Sequence, residues 1–317
     1  QMFQTADRLP VMRAMIMSHT TRERRTHLKE LAAMQQQDFI DIFNAMDGCP
    51  VTFRLLDAPL HEFLMPLDTL LMEVALLRAQ GARGREMEVK EELLSKVLQL
   101  KETNPMMGLR GCRLGILFPE INEMQVNAIF DAACRVVRKG KTAKPEIMVP
   151  LVGHVNELKL LREQVDAIAA RVMERNRVQV PYSFGALIEI PRAALTAAKL
   201  AQICDFFSFG TNDLTQTTFG FSRDDAERKF LLHYLDQGVL DENPFETIDV
   251  EGVGRLMTIA GHDGRSVKKD LVLGICGEHG GEIETIRFCQ SIGMNYVSCS
   301  AYQVPIARLA AAQVHIA

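Results

Sequence analysis

Three short apolar runs, Ala186–Ile190, Asp205–Phe209 and Leu271–Ile275, limit the folds open to this chain more than any other feature. Each has the length and composition of a strand, and each meets polar or glycine residues at its C-terminal edge. The first ends around Glu189, the second runs into Gly210-Thr-Asn-Asp213, and the third into Cys276-Gly277. Strands that stop this way place reactive groups around one rim of a parallel sheet, where such folds carry out their chemistry. Two carboxylates, an amide and a thiol at one rim point to a metal-assisted active site.

Composition bounds the alternatives. With 317 residues and 47% hydrophobic content the chain can bury a large core, as one barrel or as two smaller domains. A net charge of −4 supplies no basic field for nucleic acid. No apolar run reaches membrane-spanning length, so no membrane partner is expected. Seven cysteines without a Cys-x-x-Cys pair favour reduced thiols in an intracellular setting over disulfides or structural zinc. The start at Gln1 and the absence of a signal peptide are read as marks of a fragment or processed product.

Along the chain, strand-like runs alternate with helical patterns. Residues 21–46 are charged and helix-periodic, and 51–56 are β-branched and apolar, breaking at Asp57-Ala-Pro. Residues 67–102 are helical in composition, interrupted by Gly81-Ala-Arg-Gly84. The stretch 108–116 is punctuated by glycine, 120–139 is amphipathic, 146–152 reads as a strand and 155–175 as a helix. The three rim strands and residues 296–298 complete a series of about seven or eight β/α alternations, the number a single (β/α)8 barrel needs. The expected fold is an α/β (β/α)8 TIM barrel with an N-terminal helical lead-in, one domain over residues 1–317.

Glu189 and Asp213, at successive strand ends, suit Mg2+, which takes few protein ligands and leaves positions for substrate and water. Each alone reads equally well as a helix N-cap or an ion-paired rim carboxylate. The turn Gly210–Asp213, with Thr211 and Asn212 inside it, could present backbone N–H groups to an oxyanion or phosphate. Arg54, taken as mid-strand, is a candidate phosphate or carboxylate clamp. Arg110 and Arg113 lie in a glycine-loosened segment suited to anion contact, with a structural ion pair the better reading for Arg113. Cys276 is followed by glycines that let a substrate approach its thiol, while Cys49, Cys112, Cys134, Cys204, Cys289 and Cys299 read as small apolar fillers. His279 is either a base or, by preference, a turn histidine contacting Glu278.

Several strings strongly resemble the C-terminal barrel of the pyruvate, phosphate dikinase family of phosphoenolpyruvate-utilising enzymes. They include Glu189-Ile-Pro-Arg-Ala-Ala194, residues 206–216 around Gly-Thr-Asn-Asp-Leu-Thr-Gln, and Gly220-Phe-Ser-Arg-Asp-Asp225. Gly274-Ile-Cys-Gly-Glu-His-Gly-Gly281, Val304-Pro-Ile-Ala-Arg-Leu-Ala-Ala311 and Asn104-Pro-Met-Met-Gly-Leu-Arg-Gly-Cys-Arg113 extend the match over essentially the whole chain. The resemblance implies a barrel that passes phosphate between pyruvate and a phosphohistidine on a separate swivelling domain, with an ATP-grasp domain elsewhere in the full-length chain. It implies Mg2+, or Mn2+ in its place, on Glu189 and Asp213, and Arg54 and Arg110 on the phosphoryl group or carboxylate. Gly210, Thr211 and Asn212 would line the substrate, and Cys276 would move the proton at C3. It also implies a homodimer.

Departures are Leu187 and Thr217 where methionine is usual, both read as pocket-wall changes, and Ala301-Tyr-Gln303 in place of Pro-Phe-Arg. A further phosphate-binding arginine of the family falls just before Gln1. Phosphoenolpyruvate synthase, an enzyme I-type phosphotransferase module and a silent dimerisation barrel are the alternatives. The expected compartment is cytoplasmic by default, with a plastid or glycosome left open, and the end at Val314-His-Ile-Ala317 carries no peroxisomal Ser-Lys-Leu.

Overall fold

The computed structural model describes Met2–Ile316, and, of the side chains, those up to Val314. Gln1 and most of the Val314–Ala317 end considered above thus lie outside the described residues or side chains. Contacts gather the chain into two compact units: residues 1–51, 55–145 and 164–181 form the first, and 52–54, 146–163 and 182–317 the second.

The first unit is helical. Its elements are α1 (Leu9–Met17), α2 (Thr21–Ala45), α3 (Leu67–Ala79), α4 (Arg85–Leu100), α5 (Gly111–Leu117) and α6 (Pro119–Arg138). Helix α2 begins at a full capping box, in which Thr20 accepts from the backbone N–H of Glu23 and the Glu23 side chain accepts from that of Thr20. Its buried face, Leu28, Leu31, Gln35, Phe39 and Phe43, recurs at helical spacing, which is why this strongly charged segment folds against a core. Helix α6 is its principal neighbour, and Arg24 and Glu120 form an ion pair of 2.5 Å between them. Met12, Met15, Leu60, Phe63, Leu70 and Val97 pack into the same cluster. The break at Gly81–Gly84 separates α3 from α4, as the composition indicated, with Gly81 and Gly84 both at positive φ.

The second unit holds the sheet, in the order β1 (Pro50–Arg54), β2 (Lys144–Val149), β3 (Ser183–Ile188), β4 (Phe206–Gly210), β5 (Val272–Cys276) and β6 (Tyr296–Val297). The pairs from β2 to β6 are parallel. This is an α/β half-barrel of six strands. The eight-stranded closure expected from the β/α count does not appear among the described residues. The glycine-punctuated stretch 108–116 starts in a loop and continues as α5, whose first residue, Gly111, has φ 57°.

Between the strands run α7 (Val155–Asn176), α8 (Pro191–Leu195), α9 (Ala197–Ala201), α10 (Thr211–Phe219), α11 (Arg223–Lys229), α12 (Leu231–Asp236), α13 (Arg255–Val267) and α14 (Ile283–Ser291), and α15 (Val304–Ile316) follows β6. Helix α13 lies close on the outer face of the sheet at its glycines. A methyl group on Gly264 would come within 2.6 Å of Leu271, and one on Gly261 within 3.0 Å of Leu273. The other face is filled in the alternating pattern of strands: Met148, Leu187 and Phe206 pack together with Cys276. Glycines on neighbouring strands make room for the large rings. A Cβ at Gly185 would sit 2.5 Å from the carbonyl oxygen of Phe206, and one at Gly274 would lie 2.0 Å from the Tyr296 ring.

Gly185→Ala is therefore expected to destabilise the second unit. The atom it meets is backbone of a buried parallel strand, which cannot rotate away. A loss of about 1–3 kcal/mol in denaturant unfolding is expected; an unchanged midpoint would show that the strands can separate to admit a methyl group.

Candidate active site

Strand register brings the rim residues together. Ile188 pairs with Phe209, and Gly210 with Cys276, so Glu189, Gly210 and Cys276 stand at the same end of three adjacent strands. Glu189 follows β3 directly and is 2% exposed. Its carboxylate accepts from the backbone N–H of Leu151 at 2.5 Å. Leu151 reaches it with φ 58°, a left-handed conformation that a bulky residue adopts only when its surroundings hold it there. The carboxylate lies over Gly210, where a Cβ would meet Glu189 Oε2 at 2.6 Å and Glu189 Cβ at 2.9 Å. Gly210 thus serves the site by its missing side chain.

Asp213 stands differently from the strand-end position expected. It lies in the first turn of α10, whose N-terminus follows β4 without a linker. The first exposed N–H groups of a helix favour negative charge there. The expected tight turn Gly210–Asp213 is thus a strand exit and a helix start. Arg54 is also displaced from its expected mid-strand position: it is the last residue of β1, exposed, at the rim.

Cys276 closes β5, half-buried, with Sγ 3.6 Å from the carbonyl oxygen of Phe209. Burial pushes its thiol up from the ordinary value; Ser208 hydrogen-bonds to it and opposes the rise, Glu189 and Asp213 add to it, and Arg54 works against it. The sulfur therefore keeps its proton near neutrality, inside a field set by both carboxylates and the arginine. Ser208, only 1% exposed, was missed in the sequence. Its signal was a hydroxyl inside the otherwise apolar Phe206-Phe-Ser-Phe209.

Arg110 is held in the first unit, where it stands just before α5 and forms an ion pair with Asp57 at 2.6 Å. Arg113 donates to the carbonyls of Met107 and Gly108, a structural role as preferred, although with backbone partners. Of the six cysteines read as fillers, Cys112, Cys134, Cys204 and Cys289 are buried, Cys299 is half-buried, and Cys49 is exposed. Leu187 does stand against Cys276, whereas Thr217 turns its hydroxyl back to the Asp213 carbonyl at 2.7 Å. Gln303 lies against Gly281, where a Cβ would meet its amide at 2.3 Å.

His279 is neither a base open to the site nor a partner of Glu278. It is 0% exposed, with Nε2 3.0 Å from the carbonyl of Pro244 and Nδ1 2.8 Å from the hydroxyl of Thr211. Glu278 bonds Arg223 instead, at 2.6 Å. A carbonyl can only accept, so Nε2 carries the proton and Nδ1 accepts from Thr211. The imidazole thus ties the start of α10 to the loop after Cys276.

The rim fits a small hard cation by its chemistry: one carboxylate at the exit of β3, one in the first turn of the helix that follows β4, and a glycine whose missing Cβ leaves space for the first. Among the described residues no cluster of three or more His, Cys, Asp or Glu forms a protein cage. The two-carboxylate set is the kind Mg2+ uses when substrate and water complete its shell. A groove of about 930 Å³ in the first unit, along α2 and α6, contains none of these residues. Two of its arginines pair with acidic neighbours, Arg25 with Glu123 and Arg175 with Asp131, as on a solvated helix seam.

The model of the PEP-utilising enzymes' PEP-binding domain matches residues 2–316. The chain belongs to that family. A pyruvate, phosphate dikinase from Entamoeba histolytica is 48% identical over 317 residues, covering 100% of this chain and 36% of that protein. The Rhizobium meliloti pyruvate, phosphate dikinase is 51% identical, covering 99% and 34%. The chloroplastic pyruvate, phosphate dikinase 1 of Arabidopsis thaliana is 51% identical, covering 100% and 32%. The chain spans about a third of the length of these relatives. A solved citrate lyase from Burkholderia xenovorans LB400 aligns over 77% of this chain and 73% of its own at 15% identity, with a TM-score of 0.40, too slight to carry an argument. No helix among the described residues is long and apolar enough to cross a membrane.

Burial lowers the His279 pKa below the ordinary value of 6.5. The folded state therefore holds fewer protons than the unfolded chain just below that value, and stability falls as pH drops through it. Melting curves between about pH 7 and 5 should show this loss, and His279→Gln should flatten the slope while lowering the plateau. An equal slope in the variant would assign the acid sensitivity to other groups.

Proposed function

We propose that residues 1–317 form a single phosphoenolpyruvate/pyruvate-binding domain of a pyruvate, phosphate dikinase, with the half-barrel as the core of a (β/α)8 architecture. The observation that carries this reading is the placement of the Cys276 thiol in the combined field of Glu189, Asp213 and Arg54 at one end of the parallel sheet. The whole enzyme would convert ATP, phosphate and pyruvate to AMP, diphosphate and phosphoenolpyruvate. This chain would carry the half-reaction between pyruvate and a phosphohistidine on another domain.

Glu189 and Asp213 would hold Mg2+, which when bound supplies Lewis-acid stabilisation to an oxyanion. Arg54 would face the phosphoryl group or carboxylate, and Gly210, Thr211 and Asn212 would line the substrate. The Asn212 amide oxygen supports that role, because it is buried and has no hydrogen-bond partner within the protein. Cys276 would act at C3. When phosphoenolpyruvate gives up its phosphoryl group, the C3 carbon takes the thiol proton: the S–H bond breaks, a C–H bond forms and sulfur keeps the electron pair. In the reverse direction the thiolate removes a methyl proton and the enolate oxygen takes phosphorus from the histidine nitrogen. A raised thiol pKa keeps the proton on sulfur until the enolate is present. The proposal extends to a homodimer, supported by the exposed Tyr302, Val304, Ile306 and Leu309 at the start of and along α15.

Exchange of the pyruvate methyl hydrogens with D2O by the full-length enzyme tests the reading. Cys276→Ser and Cys276→Ala should slow exchange by on the order of 10³-fold, since a hydroxyl or methyl cannot move the proton as a thiol does. Cys289→Ala should leave it nearly intact, because burial already pushes that thiol up to about 12. Exchange at the wild-type rate in Cys276→Ala would remove the sulfur from the mechanism.

The metal reading has its own test. Mn2+ and phosphoenolpyruvate should bind this chain interdependently in calorimetry, and Asp213→Ala should abolish that dependence. Phosphoenolpyruvate binding that is indifferent to EDTA would overturn it.

A further inference from the structure

Asp213 has a neighbour whose side chain is fixed at both ends. The Gln216 Nε2 donates to Asp213 Oδ1 at 3.1 Å, and the Gln216 Oε1 accepts from the backbone N–H of Arg223 at 2.8 Å. An amide seen alone can be turned over, exchanging its oxygen and nitrogen. Here it cannot, because a backbone N–H only donates and the atom facing it must be the oxygen. The nitrogen therefore faces Asp213.

Each end of this arrangement rests on something firmer than the amide. Gln216 follows Asp213 by three residues on α10, a spacing that puts both on one helix face. Arg223 begins α11, and its guanidinium bonds Glu278 at 2.6 Å and Glu227 at 3.0 Å and lies over the Phe245 ring. Glu278 is two residues beyond Cys276 in the sequence. The backbone donor that orients Gln216 is thus held by the loop that follows the thiol-bearing strand.

We propose that Gln216 is the positioning residue of Asp213, holding the carboxylate's rotation so that it meets a divalent cation pre-oriented. This rests on the reading of Asp213 as a metal ligand. An amide donor on one oxygen limits the torsion of a carboxylate, and that freedom would otherwise be lost at the moment of binding. The donor is neutral, so it orients the carboxylate without cancelling the charge the cation needs. A lysine or arginine in the same place would pair with Asp213 and compete with the metal.

Mn2+ binding to the chain, followed by electron paramagnetic resonance, tests the proposal alongside metal-free melting. Gln216→Ala and Gln216→Met should each weaken Mn2+ binding by about 10–100-fold, the usual cost of removing a partner that orients a metal ligand. Their metal-free circular dichroism should stay that of the wild type. Thr218→Ala, which removes a hydroxyl bonded back to the Leu214 carbonyl on the same helix, should bind Mn2+ normally. Wild-type affinity in both Gln216 variants would overturn the positioning role alone. So would a loss of affinity that merely follows a loss of metal-free folded protein, since that marks a tether of α10. Absence of Mn2+ binding in the wild type, or normal binding in Asp213→Ala, would overturn the metal reading itself and the positioning role with it.

Discussion

The buried carboxylate of Glu189 is the constraint on which the rim depends. A carboxylate removed from water is costly unless hydrogen bonds or charges compensate, and here the compensation is built from backbone. Leu151 turns into a left-handed conformation to aim its N–H at the carboxylate, and Gly210 gives up its side chain so that the carboxylate can lie against β4. The same placement fixes the charge that Cys276 experiences, because strand register puts Gly210 beside the thiol. Backbone strain and a missing Cβ thus follow from one buried carboxylate, which also adds to the rise that burial gives the Cys276 thiol pKa.

A second layer steadies this centre from the loops beyond the strand ends. The neutral His279 joins Thr211 to the Pro244 carbonyl, and Gln216 joins Asp213 to Arg223, which returns through Glu278 to the loop after Cys276. The segment between α10 and α13 has its own small apolar cluster of Ala226, Leu231 and Phe245 with Phe221 and Phe230 around them. It therefore supplies Arg223 and Pro244 as fixed points. Polar atoms aimed at a site are useful only when their own orientation is determined, and here each is determined by a partner with a single hydrogen-bonding role.

The apolar side of the sheet explains why a rim so rich in polar groups is stable. Phe207 and Phe209 are fully buried on β4, and α13 comes close to the sheet only because Gly261 and Gly264 present no side chain to it. On the other face, Gly185 and Gly274 admit Phe206 and Tyr296, and the ring of Tyr296 is buried enough to push its hydroxyl up to about 12. Small residues opposite large ones give the close packing that a single native arrangement requires.

By itself the sequence determined which segments become strands, since runs such as Asp205–Phe209 and Leu271–Ile275 carry their composition and turn signals locally. It determined the helical pattern of α2 through the Thr20–Glu23 cap and its apolar spacing, and it marked Glu189, Asp213 and Cys276 because each stands where an apolar run ends. It also carried the family in strings that need no folding to be read. Tertiary structure decided what depends on residues far apart in the chain. Among the described residues six strands form a half-barrel where an eight-stranded barrel was expected; Arg54 came to the end of its strand; Arg110 took an ion pair with Asp57. His279 became a buried latch because Thr211 and Pro244 arrive at its two nitrogens from separate loops. Local composition sets secondary structure through short-range sterics and hydrophobic periodicity, but register and crossover connections set which side chains meet, and protonation and orientation follow from those meetings.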